Sequence, residues 1–340
     1  CIPVADGGEG TVDCFVQAMG AQRVGVTVTN ALGEKSAAAY ARLGELAIIE
    51  MAAAAGLPQV GALRCPGTAT TYGVGELITH AVDSGCRKIL LGLGGSATND
   101  GGCGCAAALG VRFYDADGQS FVPVGDTLGR IARIDTAEAE ALLRSVEITV
   151  MCDVTNPLYG PTGAAYVFAP QKGADAEKVK SLDAGLRHFG DVIRSQYGLD
   201  VSAMPGAGAA GGMGAGCVAL LGGTIQSGID AVLDVTGFDR QLEGADLVIT
   251  GEGRIDSQSA DGKVVSGVAR RTRAKGVPLI AIAGGIADSA GAVYDIGVSA
   301  MFSTDRAALP VDMLGARSPG DYEATLSDIM SLIAIAERFA

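Results

Sequence analysis

Short apolar runs that suit buried strands alternate along the chain with stretches of helical periodicity. The apolar runs lie at 88–93, 146–152, 246–250, 278–283 and 298–303. Runs of this length that lack a regular apolar–polar alternation are typical of strands that are covered on both faces of a sheet. Apolar residues at helical spacing predict helices at 73–84, 174–196, 263–275 and 324–338. This alternation predicts an α/β fold.

The pattern differs between two parts of the chain, and the difference predicts two α/β domains. From 246 to 303 the order of elements is βαβαβ, which implies a parallel, doubly wound sheet of the Rossmann kind. Between 22 and 50, apolar and polar residues alternate around a turn at 32–35. Such alternation indicates a second domain with an antiparallel or mixed sheet.

Composition narrows the classes of partner. The 340 residues carry a net charge of −13, and an acidic surface repels the phosphates of nucleic acids, so we expect no nucleic-acid partner. The chain lacks an apolar run of membrane-spanning length and a signal-peptide pattern, so we expect no membrane association and a cytoplasmic location. The 51 glycines cluster in loops, where a bare backbone can approach a ligand closely.

The strongest local motif is GLGGSATNDGG at 92–102, which follows a predicted strand and precedes a short helix. Unpaired backbone N–H groups at such a position attract anions. The residues predicted to contact phosphate are Gly94, Gly95, Ser96 and Thr98. Asp100 is predicted to bind Mg²⁺, with a role as a base as the alternative. The structural alternative for the whole segment is a tight turn in which Ser96 or Thr98 caps the helix.

The same segment also fits a dinucleotide fingerprint. Gly92, Gly94 and Ala97 match G-x-G-x-x-A, and Asp115 follows at the spacing of a ribose-binding acid. A NAD-dependent dehydrogenase is therefore a competing hypothesis. The composition of 115–118 favours a hairpin turn instead, and the intervening helix is short for a dinucleotide fold.

A second glycine loop lies at 206–214 and contains a literal G-x-G-x-x-G, but no convincing strand precedes it. Its glycines serve either for close backbone packing or for a helix start that faces a ligand. Under the second interpretation, Gly211 and Gly212 contact phosphate.

Charged residues at the ends of predicted strands supply candidate catalytic groups. Asp6 and Glu9 lie among glycines, Asp6 as a candidate base and Glu9 as a candidate Mg²⁺ ligand, with a helix capping box as the alternative. Asp153 follows the strand at 146–152 and is a second candidate base, unless it only caps a turn. Lys172 stands in an apolar, glycine-rich context and either neutralises phosphate or is a solvated loop lysine.

A third charged cluster follows the strand at 246–250, and ligands in doubly wound sheets bind beyond the carboxyl ends of strands. Glu252 is predicted to bind Mg²⁺ and Asp256 to act as the base. Arg254 is predicted to hold the substrate carboxylate or a phosphate in a bidentate manner. A structural ion-pair network is the alternative. The sequence does not choose a base among Asp6, Asp153 and Asp256.

Eight strings, in this order along nearly the whole chain, resemble the type I, or bacterial, glycerate kinase family. They are ADGGEGT (5–11), IIEMAAAAGL (48–57), TYGVGELI (71–78), GLGGSATNDGG (92–102), CDVTNPLYGPTGAA (152–165), FAPQKGA (168–174), GAAGGMGAG (208–216) and VITGEGRIDSQS (248–259). The resemblance implies phosphorylation of D-glycerate by ATP, with 2-phosphoglycerate as the product. Glycerate and ATP are then the small-molecule partners, Mg²⁺ is the expected ion, and the sequence leaves a homo-oligomer open.

The resemblance also implies a domain organisation. A flavodoxin-like domain would comprise 1–42 and 240–340, and a second α/β domain, 43–239, would be inserted into it, with the active site in the cleft. Family members begin with a strand and a P-D-S-F-K-like loop, which this sequence does not contain before Cys1. We therefore expect residues upstream of Cys1, and an inactive ligand-binding remnant is a further hypothesis.

Overall fold

The computed structural model describes the chain apart from residues 3, 6, 9, 261–263, 308, 310–314, 316 and 337–340 and the side chains of 258 and 336. Two compact units comprise Cys1–Val232 and Leu233–Ala340. None of the helices in the described part of the chain has the length and apolar character that a membrane crossing requires. The predicted association of 1–42 with 240–340, around an inserted 43–239, stays a prediction.

The strands form three sheets. They are β1 (Gln22–Thr29), β2 (Lys35–Leu43), β3 (Leu46–Glu50), β4 (Lys88–Gly92), β5 (Arg112–Tyr114), β6 (Ser120–Phe121), β7 (Arg133–Asp135), β8 (Glu147–Met151), β9 (Thr224–Gln226), β10 (Val248–Ile255), β11 (Leu279–Ile286) and β12 (Ala300–Ser303). The mixed α/β class predicted from the sequence is confirmed, and each of the five apolar runs overlaps a strand.

The helices connect and cover these sheets. They are α1 (Thr11–Met19), α2 (Ala52–Ala55), α3 (Leu57–Val60), α4 (Tyr72–Asp83), α5 (Cys103–Ala108), α6 (Ala137–Leu143), α7 (Ala164–Phe168), α8 (Ala176–Tyr197), α9 (Ala209–Leu221), α10 (Gly228–Val235), α11 (Phe238–Gln241), α12 (Val264–Lys275), α13 (Ala292–Asp295) and α14 (Ser318–Ala336). The four helices predicted from periodicity correspond to α4, α8, α12 and α14.

The first unit is built on a six-stranded mixed sheet in the order β1-β2-β3-β4-β8-β9. The alternating segment between 22 and 50 forms the antiparallel pairs β1–β2 and β2–β3, as its pattern predicts. The next three pairs, from β3 to β9, are parallel. Their carboxyl ends therefore lie at one edge of the sheet, which brings the loops after β4, β8 and β9 together.

One large apolar core holds this unit together. Side chains such as Ile49, Leu91 and Val150 on the parallel strands are fully buried. Leu186 and Phe189 of α8 belong to the same cluster, and they lie on one face of the helix because residues three or four apart share a face. The strand ends that carry the candidate site thus rest on a closely packed base.

The first unit also contains a small antiparallel sheet in the order β6-β5-β7. β5 and β6 form a hairpin in which Phe113 pairs with Phe121. Oδ1 of Asp115 accepts hydrogen bonds from the backbone N–H groups of Asp117 and Gln119 at the turn. The turn predicted at 115–118 is confirmed.

The second unit contains the parallel sheet β10-β11-β12, as the βαβαβ pattern predicts. Ile280, Ile282 and Ile329 form the buried centre of its core. One detail of the prediction was wrong: β10 does not end at Thr250 but continues to Ile255. Gly251 allows this extension, because a Cβ at this position would lie 2.4 Å from the carbonyl oxygen of Ile282 on β11.

Candidate active site

A cavity of ≈ 290 Å³ opens at the carboxyl ends of β4 and β8 in the first unit. Its polar lining comprises Ser96, Asp153, Gln171 and Lys172, with the backbone of the glycine loop after β4. The remaining lining residues are Gly7, Gly8, Leu57, Leu93, Met151, Cys152, Val154, Phe168, Ala209 and Ala210. The cavity is therefore a mainly apolar recess with a few convergent polar groups, the usual character of a small-molecule site.

The glycine loop presents its backbone to this cavity. Gly94 and Gly95 are exposed, and within the described part of the chain their N–H groups donate no hydrogen bond. The loop is anchored from behind, because the N–H of Leu57 donates to the oxygen of Gly95 and the N–H of Ala97 donates to the oxygen of Ala55. The structure thus holds two N–H donors at a fixed place, as an anion site requires.

Glycine is needed at the start of this loop because another loop crosses it closely. A Cβ at Gly92 would lie 2.2 Å from the carbonyl oxygen of Gly7, and one at Gly94 would lie 3.0 Å from the Cα of Gly8. Gly7 and Gly8 line the cavity next to the predicted residues Asp6 and Glu9. Asp6 and Glu9 themselves lie outside the described residues, so their predicted roles stay predictions.

Lys172 is the most unusual charged residue of the site, because its side chain is almost completely buried. Its ammonium donates to Oγ of Ser96 and to the backbone oxygen of Thr98, both at 2.7 Å. Burial lowers the pKa of Lys172 to about 7, and the negative charge of Asp100 opposes this shift in part. The structure therefore excludes the alternative of a solvated loop lysine.

Asp153 also lines the cavity, and it lies just after the end of β8. Its Oδ1 accepts a hydrogen bond of 2.8 Å from the backbone N–H of Gly228, which follows β9. The neighbouring thiol of Cys152 also lines the cavity, and burial raises the pKa of Cys152. Asp153 is the predicted carboxylate that the structure brings into the same cavity as the glycine loop.

Asp100 lies behind the loop instead of facing the cavity. Its carboxylate is fully buried and accepts from both the N–H and the hydroxyl of Thr71 at 2.8 Å. It also accepts from the N–H groups of Gly102 at 3.1 Å and Gly104 at 3.2 Å. Burial raises the pKa of Asp100, and these hydrogen bonds to the carboxylate oppose the shift. The geometry favours a structural role over the predicted Mg²⁺ ligand, since coordination would replace these bonds.

Thr98 also lies on the inner side of the loop. Its hydroxyl and the side-chain amide of Asn99 are buried without a hydrogen-bond partner among the described residues. Buried polar groups without partners are costly, and an enclosed water would satisfy them. Because Thr98 is not part of the lining, its connection with the cavity runs through its carbonyl oxygen, which accepts from Lys172.

The second glycine loop contributes packing and only small apolar lining residues. A Cβ at Gly211 would lie 2.1 Å from the oxygen of Thr98, and one at Gly212 would lie 2.7 Å from Cδ2 of Leu186. Neither residue lines the cavity; Ala209 and Ala210 of the same segment do. Close backbone packing is therefore the role that the geometry gives to both glycines, in place of the predicted phosphate contact.

Ala210 has a backbone conformation that is rare for a residue with a side chain. Its φ of 52° lies in the left-handed region, and no other non-glycine residue in the described chain has a positive φ. Left-handed backbone costs a residue with a Cβ about 1–2 kcal/mol. Ala209 and Ala210 were not predicted as site residues, because an alanine side chain carries no polar group that would mark it in the sequence.

The remaining predicted residues lie on β10 and just beyond it, in the second unit. Glu252 and Arg254 are two residues apart on β10 and so point to the same face of the sheet. The hydroxyl of Ser259 donates to a carboxylate oxygen of Glu252 and accepts from the backbone N–H of Asp256 at 3.2 Å. The structure thus connects Glu252 and Asp256 through Ser259 and leaves Arg254 exposed.

The structure gives no support to the hypothesis that the segment 92–102 binds a dinucleotide. Asp115, the predicted ribose-binding acid, uses its carboxylate in the hairpin turn and forms an ion pair with Arg130. Among the described residues, no three His, Cys, Asp or Glu side chains are arranged to hold a metal ion by themselves. A metal that acts here would therefore need further oxygen ligands, such as those of a phosphate.

Comparison with known proteins gives one consistent result. A family model described as the glycerate kinase family matches residues 1–334. A glycerate kinase of Bacillus cereus is 46% identical over an alignment of 340 positions, which covers 99% of this chain and 89% of that protein. A glycerate 2-kinase of Escherichia coli K12 is 46% identical over 89% of this chain and 80% of its own length.

A solved structure agrees with these relatives. The crystal structure of a protein described as a glycerate kinase 2 from Salmonella typhimurium LT2 superposes with a TM-score of 0.87 at 42% identity. The match covers 99% of this chain and 89% of that one.

Proposed function

The chain belongs to the glycerate kinase family, and on this basis we propose that it transfers a phosphoryl group from ATP to the 2-hydroxyl of D-glycerate, giving 2-phosphoglycerate. The observation that carries the proposal is that the exposed glycine backbone, a buried lysine and the carboxylate of Asp153 border one cavity. Groups that bind phosphate and a group that accepts a proton thus face the same space.

The phosphate end of the nucleotide is assigned to the glycine loop. Transfer of a phosphoryl group needs donors that hold its equatorial oxygens and charge that stabilises them. The N–H groups of Gly94 and Gly95 and the hydroxyl of Ser96 are such donors, and Lys172 adds positive charge next to Ser96. In a chain with a net charge of −13, this local arrangement is what makes binding of ATP favourable.

The accepting hydroxyl is assigned to the side of the cavity where Asp153 lies. As the oxygen of glycerate forms its bond to phosphorus, the bond from phosphorus to the leaving oxygen of ADP breaks and the hydroxyl proton passes to Asp153. Its bond to the N–H of Gly228 fixes the carboxylate. Asp256 and Asp6 stay predicted alternatives for this base, and Arg254 stays the predicted ligand of the substrate carboxylate.

Mg²⁺ fits this chemistry as an ion that arrives with the nucleotide. It takes oxygen ligands and commonly binds one or two carboxylates together with phosphate oxygens. Glu252, whose carboxylate is already oriented by Ser259, has the required oxygen chemistry and stays our candidate ligand. When bound, the ion would neutralise charge on the phosphates.

A coupled assay tests the activity and its product together. The protein is incubated with ATP, Mg²⁺ and D-glycerate, and enolase is added without phosphoglycerate mutase. Enolase accepts 2-phosphoglycerate, so phosphoenolpyruvate forms at once if the 2-hydroxyl is phosphorylated. A signal that requires added mutase would assign the 3-hydroxyl instead.

Three measurements on the same protein separate the kinase from the competing hypotheses: release of ADP, reduction of NAD, and binding of ATP and glycerate. Release of ADP that depends on glycerate supports a kinase, whereas reduction of NAD by glycerate would support the dehydrogenase. Binding of ATP and glycerate without release of ADP would indicate the inactive ligand-binding protein. Omission of Mg²⁺ is expected to abolish the glycerate-dependent release of ADP, which is measured directly because enolase itself needs Mg²⁺.

A further inference from the structure

The protonation state of Lys172 decides which groups can donate in the hydrogen bond between Lys172 and Ser96. An ammonium has three N–H donors and no lone pair, so Oγ of Ser96 must accept from it. The hydroxyl proton of Ser96 is then available to the cavity, which Ser96 lines. In this state the pocket offers a donor and a positive charge to any anion that enters.

The neutral amine permits the reverse arrangement. It has a lone pair, so it can accept the hydroxyl proton of Ser96 while still donating to the oxygen of Thr98. The oxygen lone pairs of Ser96 then face the cavity, where they oppose an anionic phosphate. The two protonation states of Lys172 therefore differ in charge, and only the amine can accept the hydroxyl proton of Ser96.

Burial favours the neutral state of the empty pocket. Within the described residues, the two acceptors of the ammonium are a hydroxyl and a carbonyl, and no carboxylate accepts from it. The pKa of Lys172 falls to about 7 for this reason. At pH values above 7, most molecules of the free protein thus hold the amine.

The charged groups on the surrounding elements do not cancel this effect. Asp100, behind the loop, opposes the pKa shift only in part. Asp153 and the thiol of Cys152 line the cavity from the end of β8, and α9 presents Ala209 and Ala210. Arg64, which donates to the carbonyl oxygen of Gln171, is exposed to solvent.

We propose that the pocket binds the phosphate groups of ATP together with a proton, which Lys172 takes up, so that the free site holds an amine and the loaded site an ammonium. The inference rests on the proposed function, because it needs an anionic phosphate beside Ser96. No covalent bond changes: the proton comes from solvent and moves to Nζ. Lys172 acts here through Ser96 and through its charge.

Titration calorimetry measures this uptake directly. ATP saturated with Mg²⁺ is titrated into the full chain, without glycerate, in two buffers of different ionisation enthalpy. At about pH 8 we expect uptake of about 0.9 proton per ATP, and at about pH 6 only about 0.1, because most of the amine is then already protonated. The apparent affinity should fall by up to tenfold per pH unit above about pH 7.

Lys172→Arg is the matched variant, since a guanidinium remains charged at all these pH values. It should bind ATP without proton uptake and without the loss of affinity at high pH. If the variant fails to fold, the pH dependence of proton uptake by the wild-type protein is by itself a sufficient test of the inference. Equal uptake at pH 6 and pH 8, or uptake by Lys172→Arg equal to that of the wild type, would overturn the inference.

The outcomes also separate this inference from the proposed function. Binding of ATP without proton uptake, with 2-phosphoglycerate formed in the coupled assay, overturns only the inference. Proton-linked binding without any turnover of glycerate overturns only the proposed activity. Absence of ATP binding to the wild type overturns both.

Discussion

Thr71 and Asp100 form a pair in which the threonine donates twice to one carboxylate oxygen, through its N–H and its hydroxyl, each at 2.8 Å. Thr71 immediately precedes α4, and Asp100 belongs to the loop that carries the candidate phosphate site. The same threonine hydroxyl accepts from the N–H of Cys105 on α5 at 2.8 Å. This pair therefore ties two helices to the back of the glycine loop.

Replacement of Asp100 by asparagine should destabilise the protein without a selective effect on metal binding. An amide has only one acceptor oxygen, and its NH₂ would face N–H donors. Hydrogen bonds to buried charged groups are worth about 1.5–3 kcal/mol each, so we expect a loss of about 2–4 kcal/mol in the free energy of unfolding. Urea denaturation measures this loss.

Asp117→Asn is the control for this prediction, because Asp117 is exposed at the hairpin turn and should change stability by less than about 0.5 kcal/mol. If Asp100→Asn kept the wild-type stability and raised only the Mg²⁺ concentration needed for turnover, Asp100 would be a metal ligand after all.

Gly211→Ala should be far more costly than the same substitution at Gly198. Both glycines have left-handed backbone, with φ of 70° and 67°. A Cβ at Gly211 would overlap the oxygen of Thr98, whereas a Cβ at Gly198 meets nothing within 4 Å. Both variants lose about 1 kcal/mol to the backbone, and overpacking adds about 1–3 kcal/mol at Gly211 alone. Thermal unfolding of the two variants measures the cost of the overlap at Gly211, because the backbone cost is common to both. Equal melting temperatures would contradict the prediction.

The fold could be predicted wherever the local pattern of apolar and polar residues determines the type of sheet. Alternation between 22 and 50 indicates the mixed sheet, and apolar runs without such alternation indicate the parallel sheets, because these patterns report how many faces of a strand are buried. The extension of β10 to Ile255 was missed, since Gly251 and Gly253 read as loop residues. Gly251 is needed there because a neighbouring strand lies too close for a Cβ, which only the folded chain reveals.

The residue types of the site could be predicted from the sequence, but which of them point into the cavity could not. Ser96, Asp153 and Lys172 were identified from polar residues at strand ends and in glycine-rich loops, and all three line the cavity. Asp100 and Thr98 belong to the same motif, yet they face inward. Which side of a loop a residue occupies depends on its tertiary partners, here Thr71 and Lys172, and these are distant in sequence.

Lys172→Met should change the pH dependence of stability in a defined direction. The buried lysine binds its proton with a pKa of about 7 when folded, against an ordinary value of about 10.4 when unfolded. Between these values the unfolded chain holds more protons, so the stability of the wild type rises with pH. The cost of burying the charge is fully present below about pH 7 and disappears towards pH 10. Methionine has no such dependence.

The free energy of unfolding of the wild type, relative to Lys172→Met, should therefore increase by about 2–3 kcal/mol between about pH 7 and pH 9. Urea denaturation at both pH values measures the difference, and titrations elsewhere in the chain cancel in the comparison. A difference that stays constant, or that decreases with pH, would show that Lys172 keeps its proton in the folded protein.

Asp153→Asn should remove most of the activity while leaving the fold intact. The amide oxygen can still accept from the N–H of Gly228, so the local structure is retained, but the amide cannot take a proton. Loss of a general base lowers kcat by about 10²–10⁴-fold.

Asp135→Asn is the matched control, because Asp135 also accepts from a backbone N–H, that of Ala137, but does not line the cavity. The coupled assay gives kcat, and its pH profile should lose its acidic limb in Asp153→Asn alone. If kcat instead stays within about twofold of the wild type and Asp256→Asn is inactive though folded, the base is Asp256.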